Sequence, residues 1–167
     1  MLPRDLQGMP HALLAGALVA VADLDTGRTL GHVASLSVDR VLAWAWAERR
    51  LEECSARLAA GERAPAIRVS RYWLHGQALY TVGDGQHRTV AARQAGHKSI
   101  RALVAWECTC RPEQHVLDVA AGKLWRRVQH ETLGPCLMLA MSSVEPALAD
   151  VLLSIGVHRW QRVQEAG

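Results

Sequence analysis

The feature that most constrains this chain is a glycine-bracketed turn between a strand-like segment and a helix-like one. Residues 79–82 (LYTV) alternate in polarity as a half-buried strand does, and residues 83–85 (GDG) follow directly. Glycine adopts the positive φ angles of sharp turns and lets the backbone approach a ligand closely. Residues 87–95 then have a helical pattern that Gly96 can end. The sequence therefore predicts a strand, a tight turn and a helix N-terminus at the turn.

This arrangement predicts a site for phosphate. The first turn of a helix has N–H groups without backbone partners, and the helix dipole favours negative charge there. Arg88 can bind phosphate oxygens with two guanidinium N–H groups, and Thr89 can add a hydroxyl. The predicted nucleotide-binding residues are Gly85, Gln86, His87, Arg88 and Thr89.

Asp84 and His87 each have two interpretations. Asp84 repels a phosphate unless Mg²⁺ lies between them, but its carboxylate can instead cap the helix. His87 can move a proton at a phosphoryl oxygen, or it can hydrogen-bond the backbone beneath the turn. We treat Asp84, His87 and Arg88 as candidate catalytic residues and Asp84 as the candidate metal ligand.

Two common nucleotide-binding motifs are not matched. The glycine turn lacks the Gly-Lys-Ser/Thr sequence of a P-loop, and Arg88 stands where the dinucleotide fingerprint G-x-G-x-x-G has its third glycine. An ordinary P-loop or Rossmann enzyme is therefore disfavoured.

With its flanking segments, the turn resembles the ParB/sulfiredoxin superfamily, whose signature is a strand, a D-G-x-H-R-like turn, a helix with paired small residues, a glycine and a final strand. The matching residues are 67–69, 80–88, Ala91, Ala92, Gly96 and 100–104. The match spans residues 40–106 of the chain. The resemblance implies a compact α/β domain that binds ATP or a related nucleotide, with Mg²⁺, at the turn.

Members of this superfamily include nucleotide-gated DNA clamps of partitioning systems, sulfinic acid reductases, serine kinases and nucleases with ATPase activity. Sulfiredoxins have a catalytic Cys where this chain has Gln86, so thiol chemistry at the turn is excluded.

The resemblance favours a cytoplasmic ATPase and nuclease that binds DNA and suppresses plasmid or T-DNA transfer. The alternatives are a non-catalytic, nucleotide-dependent DNA- or protein-binding module of the ParB type and a small-molecule kinase of the serine type. The kinase alternative needs an acid on the preceding helix, for which Glu48, Glu52 and Glu53 are candidates.

Charge also permits a nucleic-acid partner. The chain has 19 basic and 16 acidic residues, and 17 of the basic residues are arginines, whose planar guanidinium suits phosphate. Arg68 and Arg71 form a candidate DNA-facing strip, and Trp73 beside them can stack on a base. Arg126 and Arg127 form a second candidate strip.

The remaining pattern predicts one domain over residues 1–167 with an α/β (α+β) fold: a small mixed sheet with flanking helices, and a helical extension over 107–167 packed on the core. Helices are predicted at 38–60, 112–130 and from Ser142 to Gly156.

Three further segments carry weaker signals. The apolar run at 12–22 is too short to span a bilayer and predicts a buried helix or strand rather than a signal peptide. Cys108, Cys110 and His115 lack the second ligand pair of a usual zinc site, so reduced cytosolic thiols are the favoured interpretation. Residues 147–163 bear a slight likeness to a helix-turn-helix.

Overall fold

The structure, a computed structural model, describes residues 6–160. In chain order the elements are α1 (His11–Ala20), β1 (Ala22–Ser37), β2 (Val41–Leu42), α2 (Glu48–Ala59), β3 (Ile67–Leu74), β4 (Gln77–Asp84), α3 (Gln86–Gln94), β5 (Ser99–Cys110), β6 (His115–Asp118), β7 (Lys123–His130), β8 (Gly134–Met141), α4 (Pro146–Ser154) and β9 (His158–Arg159). The mixed α+β class predicted from the sequence is confirmed.

The larger sheet has five strands in the order β1-β5-β3-β4-β2. β3 and β4 form an antiparallel hairpin, while β5 runs parallel to β3, and α3 makes the crossover from β4 to β5. The hairpin turn at His75 and Gly76 has φ angles of 48° and 74°. The strands expected at 67–69, 79–82 and 100–104, with the turn and helix between the last two, are therefore confirmed, with boundaries that differ by a few residues.

The sheet has an apolar cluster on each face, because successive strand residues point to opposite sides. Tyr72 and Leu79 belong to a cluster that also includes residues of α1, α4 and the second sheet. Val69 and Tyr80 belong to the other cluster, against which Val90 of α3 packs. The glycine turn lies at the end of β4 beside this second cluster.

The C-terminal region differs from the prediction. A helix over 112–130 is wrong: β6 and β7 form an antiparallel pair there, within a four-stranded sheet of order β8-β7-β6-β9. Gly122, with φ of 60°, makes the turn between them. Among the described residues, the helical extension is thus mainly a sheet with one helix, because Leu117 and Leu124 are buried by strand pairing and by packing on the first apolar cluster.

Other helix predictions were confirmed in part. The helix over 38–60 begins only at Glu48, because Val41 and Leu42 pair with β4 instead. α1 confirms a buried helix in the apolar run, and α4 confirms a helix before Gly156. After Gly156 the chain continues into β9 rather than a second helix, and residues 161–163 of the helix-turn-helix segment lie outside the described residues. Within 6–160, none of the helices has the length and apolarity to cross a bilayer.

Candidate functional site

Gly85 fixes the path of the chain from β4 into α3. It adopts the left-handed conformation, with φ of 100°, directly before the first helical residue. A Cβ atom at Gly85 would lie 2.5 Å from Cγ2 of Ile67 and 3.0 Å from Nη2 of Arg88. A side chain is therefore disfavoured here both by backbone conformation and by space, and the α3 N-terminus lies close against the start of β3.

Gln86 and Thr89 use their side chains inside the turn. The Gln86 amide donates to the Val82 carbonyl at 3.0 Å and accepts from the Trp44 N–H at 3.1 Å. Thr89 is fully buried, and its hydroxyl donates to the Gly85 carbonyl at 3.0 Å. Both side chains are thus hydrogen-bonded within the turn, whereas the sequence predicted that they contact a ligand. Gln86 still lines the cleft described below, but Thr89 does not.

Asp84 and Arg88 are paired with each other. The Arg88 guanidinium donates to Oδ2 of Asp84 at 2.8 Å and to the Pro65 carbonyl at 2.7 Å. The Asp84 side chain is 74% exposed, and it makes no capping hydrogen bond to α3. Because exposed ion pairs contribute at most about 1 kcal/mol, a polyphosphate can compete for Arg88.

His87 is buried beneath the turn rather than exposed at its surface. Its Nε2 accepts from the Ala47 N–H at 3.3 Å, so the neutral ring carries its proton on Nδ1. The ring packs edge-to-face on Trp46, with centroids 4.5 Å apart. The structure therefore shows the backbone-bonded arrangement, and proton transfer through Nε2 requires that this hydrogen bond open.

A cleft of about 810 Å³ lies between α2 and the glycine turn. Its charged lining residues are Arg50, Arg57, Arg88, Glu53, Glu62 and Asp84. Each carboxylate is bonded to an arginine: Glu53 to Arg49, Glu62 to Arg57 and Asp84 to Arg88. Because the side-chain charges balance, the α3 N-terminus and Arg50, which has no ion pair within residues 6–160, supply the attraction for an anion.

A second, mainly apolar pocket of about 430 Å³ adjoins the cleft between α2, α3 and β5. Cys54, Arg57, Glu62 and Arg88 line both spaces. The apolar lining is formed by Leu58, Ile67, Ala91, Ala92 and Ile100. The two spaces together can hold a ligand with an anionic part and a flat or apolar part.

Arg50, Arg57 and Trp46 also line the cleft, although the sequence did not predict them as site residues. Arg50 and Arg57 lie seven residues apart, or about two helical turns, and so project from one face of α2. The spacing of these two arginines could have indicated an anion-binding face, but an arginine-rich helix face is usually only exposed to solvent. Trp46 lies at a bend between β2 and α2, and the residue is 63% exposed at the cleft.

Arg71 and Trp73 lie away from the cleft, in a buried cluster around Glu107. Trp73 Nε1 donates to Glu107 at 3.0 Å, and Arg71 Nε donates to it at 2.6 Å. Arg28 also pairs with this carboxylate. Burial alone would raise the pKa of Glu107, but the three donors outweigh it and lower the pKa to about 2. Arg71 and Trp73 are thus held in a structural role, and Arg68 alone of the predicted strip is exposed.

The remaining candidate residues lie in different parts of the molecule. Glu53 lines the cleft, whereas Glu48 and Glu52 do not. Cys108 and Cys110 are buried in β5, and burial is the main cause that raises the pKa of each thiol, to about 11 for Cys108. No group of three or more His, Cys, Asp or Glu side chains within residues 6–160 is arranged to hold a metal ion.

A scan against protein-family models finds no match for this chain, and neither does a search of curated proteins.

Proposed function

We propose that the cleft between α2 and α3 binds the polyphosphate of ATP or a related nucleotide, and that the protein acts on DNA as a nucleotide-hydrolysing nuclease. The observation that carries this proposal is the convergence of the α3 N-terminus with Arg50, Arg57 and Arg88 on one cleft. Backbone N–H groups at helix N-termini and arginine side chains are groups that proteins commonly use to bind phosphate. The nuclease activity rests on the resemblance to the ParB/sulfiredoxin superfamily.

In this proposal, each residue of the turn has its own role in binding the nucleotide. The N–H groups of the first α3 turn bind phosphate oxygens, and Arg88 leaves Asp84 to stabilise the negative charge that develops during phosphoryl transfer. Asp84, exposed at the cleft, is then free to hold Mg²⁺, which usually takes one or two carboxylates together with phosphate oxygens. When bound, Mg²⁺ neutralises phosphate charge.

One observation favours the non-catalytic module as the second candidate. Nε2 of His87 is engaged by the Ala47 N–H, and the Asp84 carboxylate is engaged by Arg88. Both side chains are therefore used in contacts within the protein in this arrangement. A protein that binds nucleotide and changes its affinity for DNA, without turnover, is consistent with these contacts.

Calorimetry with tripolyphosphate and with ATP tests the binding site. We expect the wild type to bind both ligands and Arg88→Ala to lose at least tenfold in affinity for both, since a charge-assisted, two-pronged contact is removed. Arg63→Ala is the matched control, because Arg63 is exposed and lines neither pocket. Wild-type protein that binds neither ligand would overturn the proposal.

Incubation with plasmid DNA, with ATP alone and with ATP plus serine, each with Mg²⁺, then tests the activity. DNA nicking that is lost in Arg88→Ala supports the nuclease. Binding without turnover identifies the module, and formation of phosphoserine identifies a kinase; either result contradicts the nuclease.

A further inference from the structure

The edge strands of the two sheets are protected from intermolecular pairing to very different degrees. Unpaired backbone groups on an edge strand can pair with another chain, and proteins block this with short strands, charges or bulges. At one edge of the larger sheet, β1 carries Asp23, Asp25 and Arg28 and has register irregularities against β5. β2 and β9, at two other edges, are only two residues long each.

β8, at the remaining edge, is less protected: it has Pro135 near its start and a register irregularity against β7 between Leu139 and Met141, but no charged side chain. Its eight residues, GPCLMLAM, and the following three contain no charged side chain. Met138 is 55% exposed, Leu139 is 46% exposed and Leu137 is 37% exposed. Because neighbouring residues point to opposite faces, both faces of the strand present apolar surface beside an unpaired backbone edge. Another strand is the structure that satisfies both features.

A second copy of β8 meets these requirements. Antiparallel pairing of β8 with itself about a two-fold axis satisfies the free backbone groups of both copies. No like charges face each other in that arrangement, since the strand is uncharged. It also brings the hairpin tip of one copy, with exposed Glu131, toward the base of the hairpin of the other, where exposed Lys123 begins β7. These opposite charges favour a second copy over an unrelated apolar strand.

We propose that the protein forms a homodimer through antiparallel pairing of β8 with β8 of a second copy. The two four-stranded sheets then form one continuous eight-stranded sheet. The paired edge is roughly 27 Å long at the usual rise per residue. This inference does not depend on the nucleotide site, which lies on the other sheet.

Sedimentation equilibrium over a concentration series up to about 100 µM, where weak specific interfaces associate, tests the dimer. We expect a concentration-dependent rise from the monomer mass of 18.3 kDa toward twice that value. Met138→Lys places a cation in each copy near the two-fold axis, and we expect it to weaken association at least tenfold. Met138→Leu keeps the apolar surface and should remain a dimer.

Two further measurements separate strand pairing from general stickiness. Val33→Lys alters an exposed apolar residue on the β1 edge and should leave the dimer intact. Amide hydrogen exchange in β8 of the wild type should slow as protein concentration rises, a readout that holds even if Met138→Lys folds poorly. A monomer at every concentration, a dimer that survives Met138→Lys in folded protein, or a monomer whose β8 binds phosphatidylglycerol vesicles would each overturn the proposal.

Discussion

Gly85 shows how one residue can determine the geometry of the candidate site. Its left-handed backbone aims the first turn of α3 at the cleft, and the space where a Cβ would lie is filled by Ile67 and Arg88. Arg88 in turn is held between the Asp84 carboxylate and the Pro65 carbonyl. The position of the guanidinium thus depends on a residue that has no side chain.

We expect Gly85→Ala to lower the free energy of unfolding by about 3 kcal/mol, because it combines left-handed strain with overpacking. Gly61→Ala is the control: Gly61 also has positive φ, of 74°, but open space around it, so about 1 kcal/mol is expected. Urea denaturation measures both. Equal losses in the two variants would show that contact with Ile67 is unimportant.

Asp84→Ala should raise the affinity for tripolyphosphate in the absence of metal. The variant frees Arg88 from an exposed ion pair and removes a repelling carboxylate, and a gain of up to about fivefold follows from the usual strength of such pairs. The same variant should lose Mg²⁺-dependent ATP hydrolysis. Glu52→Ala, which removes an exposed carboxylate outside the cleft, controls for net charge.

At the scale of elements, Glu107 links three strands of the larger sheet. It belongs to β5 and bonds Arg28 of β1 and both Arg71 and Trp73 of β3. The carboxylate is 4% exposed. Because its donors come from both neighbouring strands, the cluster fixes how β1, β5 and β3 align at this end of the sheet.

Glu107→Gln should cost about 2 kcal/mol at neutral pH, the usual worth of hydrogen bonds to a charged group. The folded pKa of about 2 lies below the ordinary 4.5, so this stabilisation is present above pH 4.5 and is lost as pH falls toward 2. The difference between wild type and variant in urea denaturation should therefore shrink over that window. Glu113→Gln, at an exposed pair 4.0 Å from Arg111, should change stability little.

Local pattern predicted the elements around the site and failed elsewhere for identifiable reasons. The polarity pattern of the strand residues and the two glycines that mark the turn are local signals, so they predicted these elements even though β3 and β4 pack against apolar clusters on both faces of the sheet. β1 has no such alternation, since its edge position and bulges leave most of its residues exposed. In residues 112–130, the spacing of Leu117, Leu124 and Val128 fits a helix, whereas Gly122 favours a turn. The pairing of β6 with β7 produces the two strands that are observed.

The site itself was predictable in position but not in side-chain use. The sequence located the turn and Arg88, but Gln86 and Thr89 bond inward, which depends on contacts with Val82, Trp44 and Gly85. Trp73 was expected at a ligand surface because it is near the motif in sequence. Its distance from the cleft follows from the direction of β3, which carries it away from Gly85.

At the scale of the whole molecule, the four cysteines lie in surroundings that differ in exposure to solvent. Cys108 and Cys110 are buried with raised pKa, whereas Cys54 and Cys136 are partly exposed. Since only the thiolate reacts, we expect two thiols to react rapidly with a disulfide reagent in native protein at pH 8, and all four in urea. The double variant Cys54→Ser/Cys136→Ser should show no rapid phase. Rapid reaction of more than two thiols would contradict the placement of β5.

The sharing of β3 and β4 between two apolar clusters has a consequence for how this molecule denatures. Each strand contributes alternate side chains to both sides of the larger sheet, so separation of the hairpin removes support from α1 and α4 as well as from α3. Neither half retains a complete interior alone. Heating should therefore produce a single cooperative, two-state transition, with calorimetric and van't Hoff enthalpies in agreement.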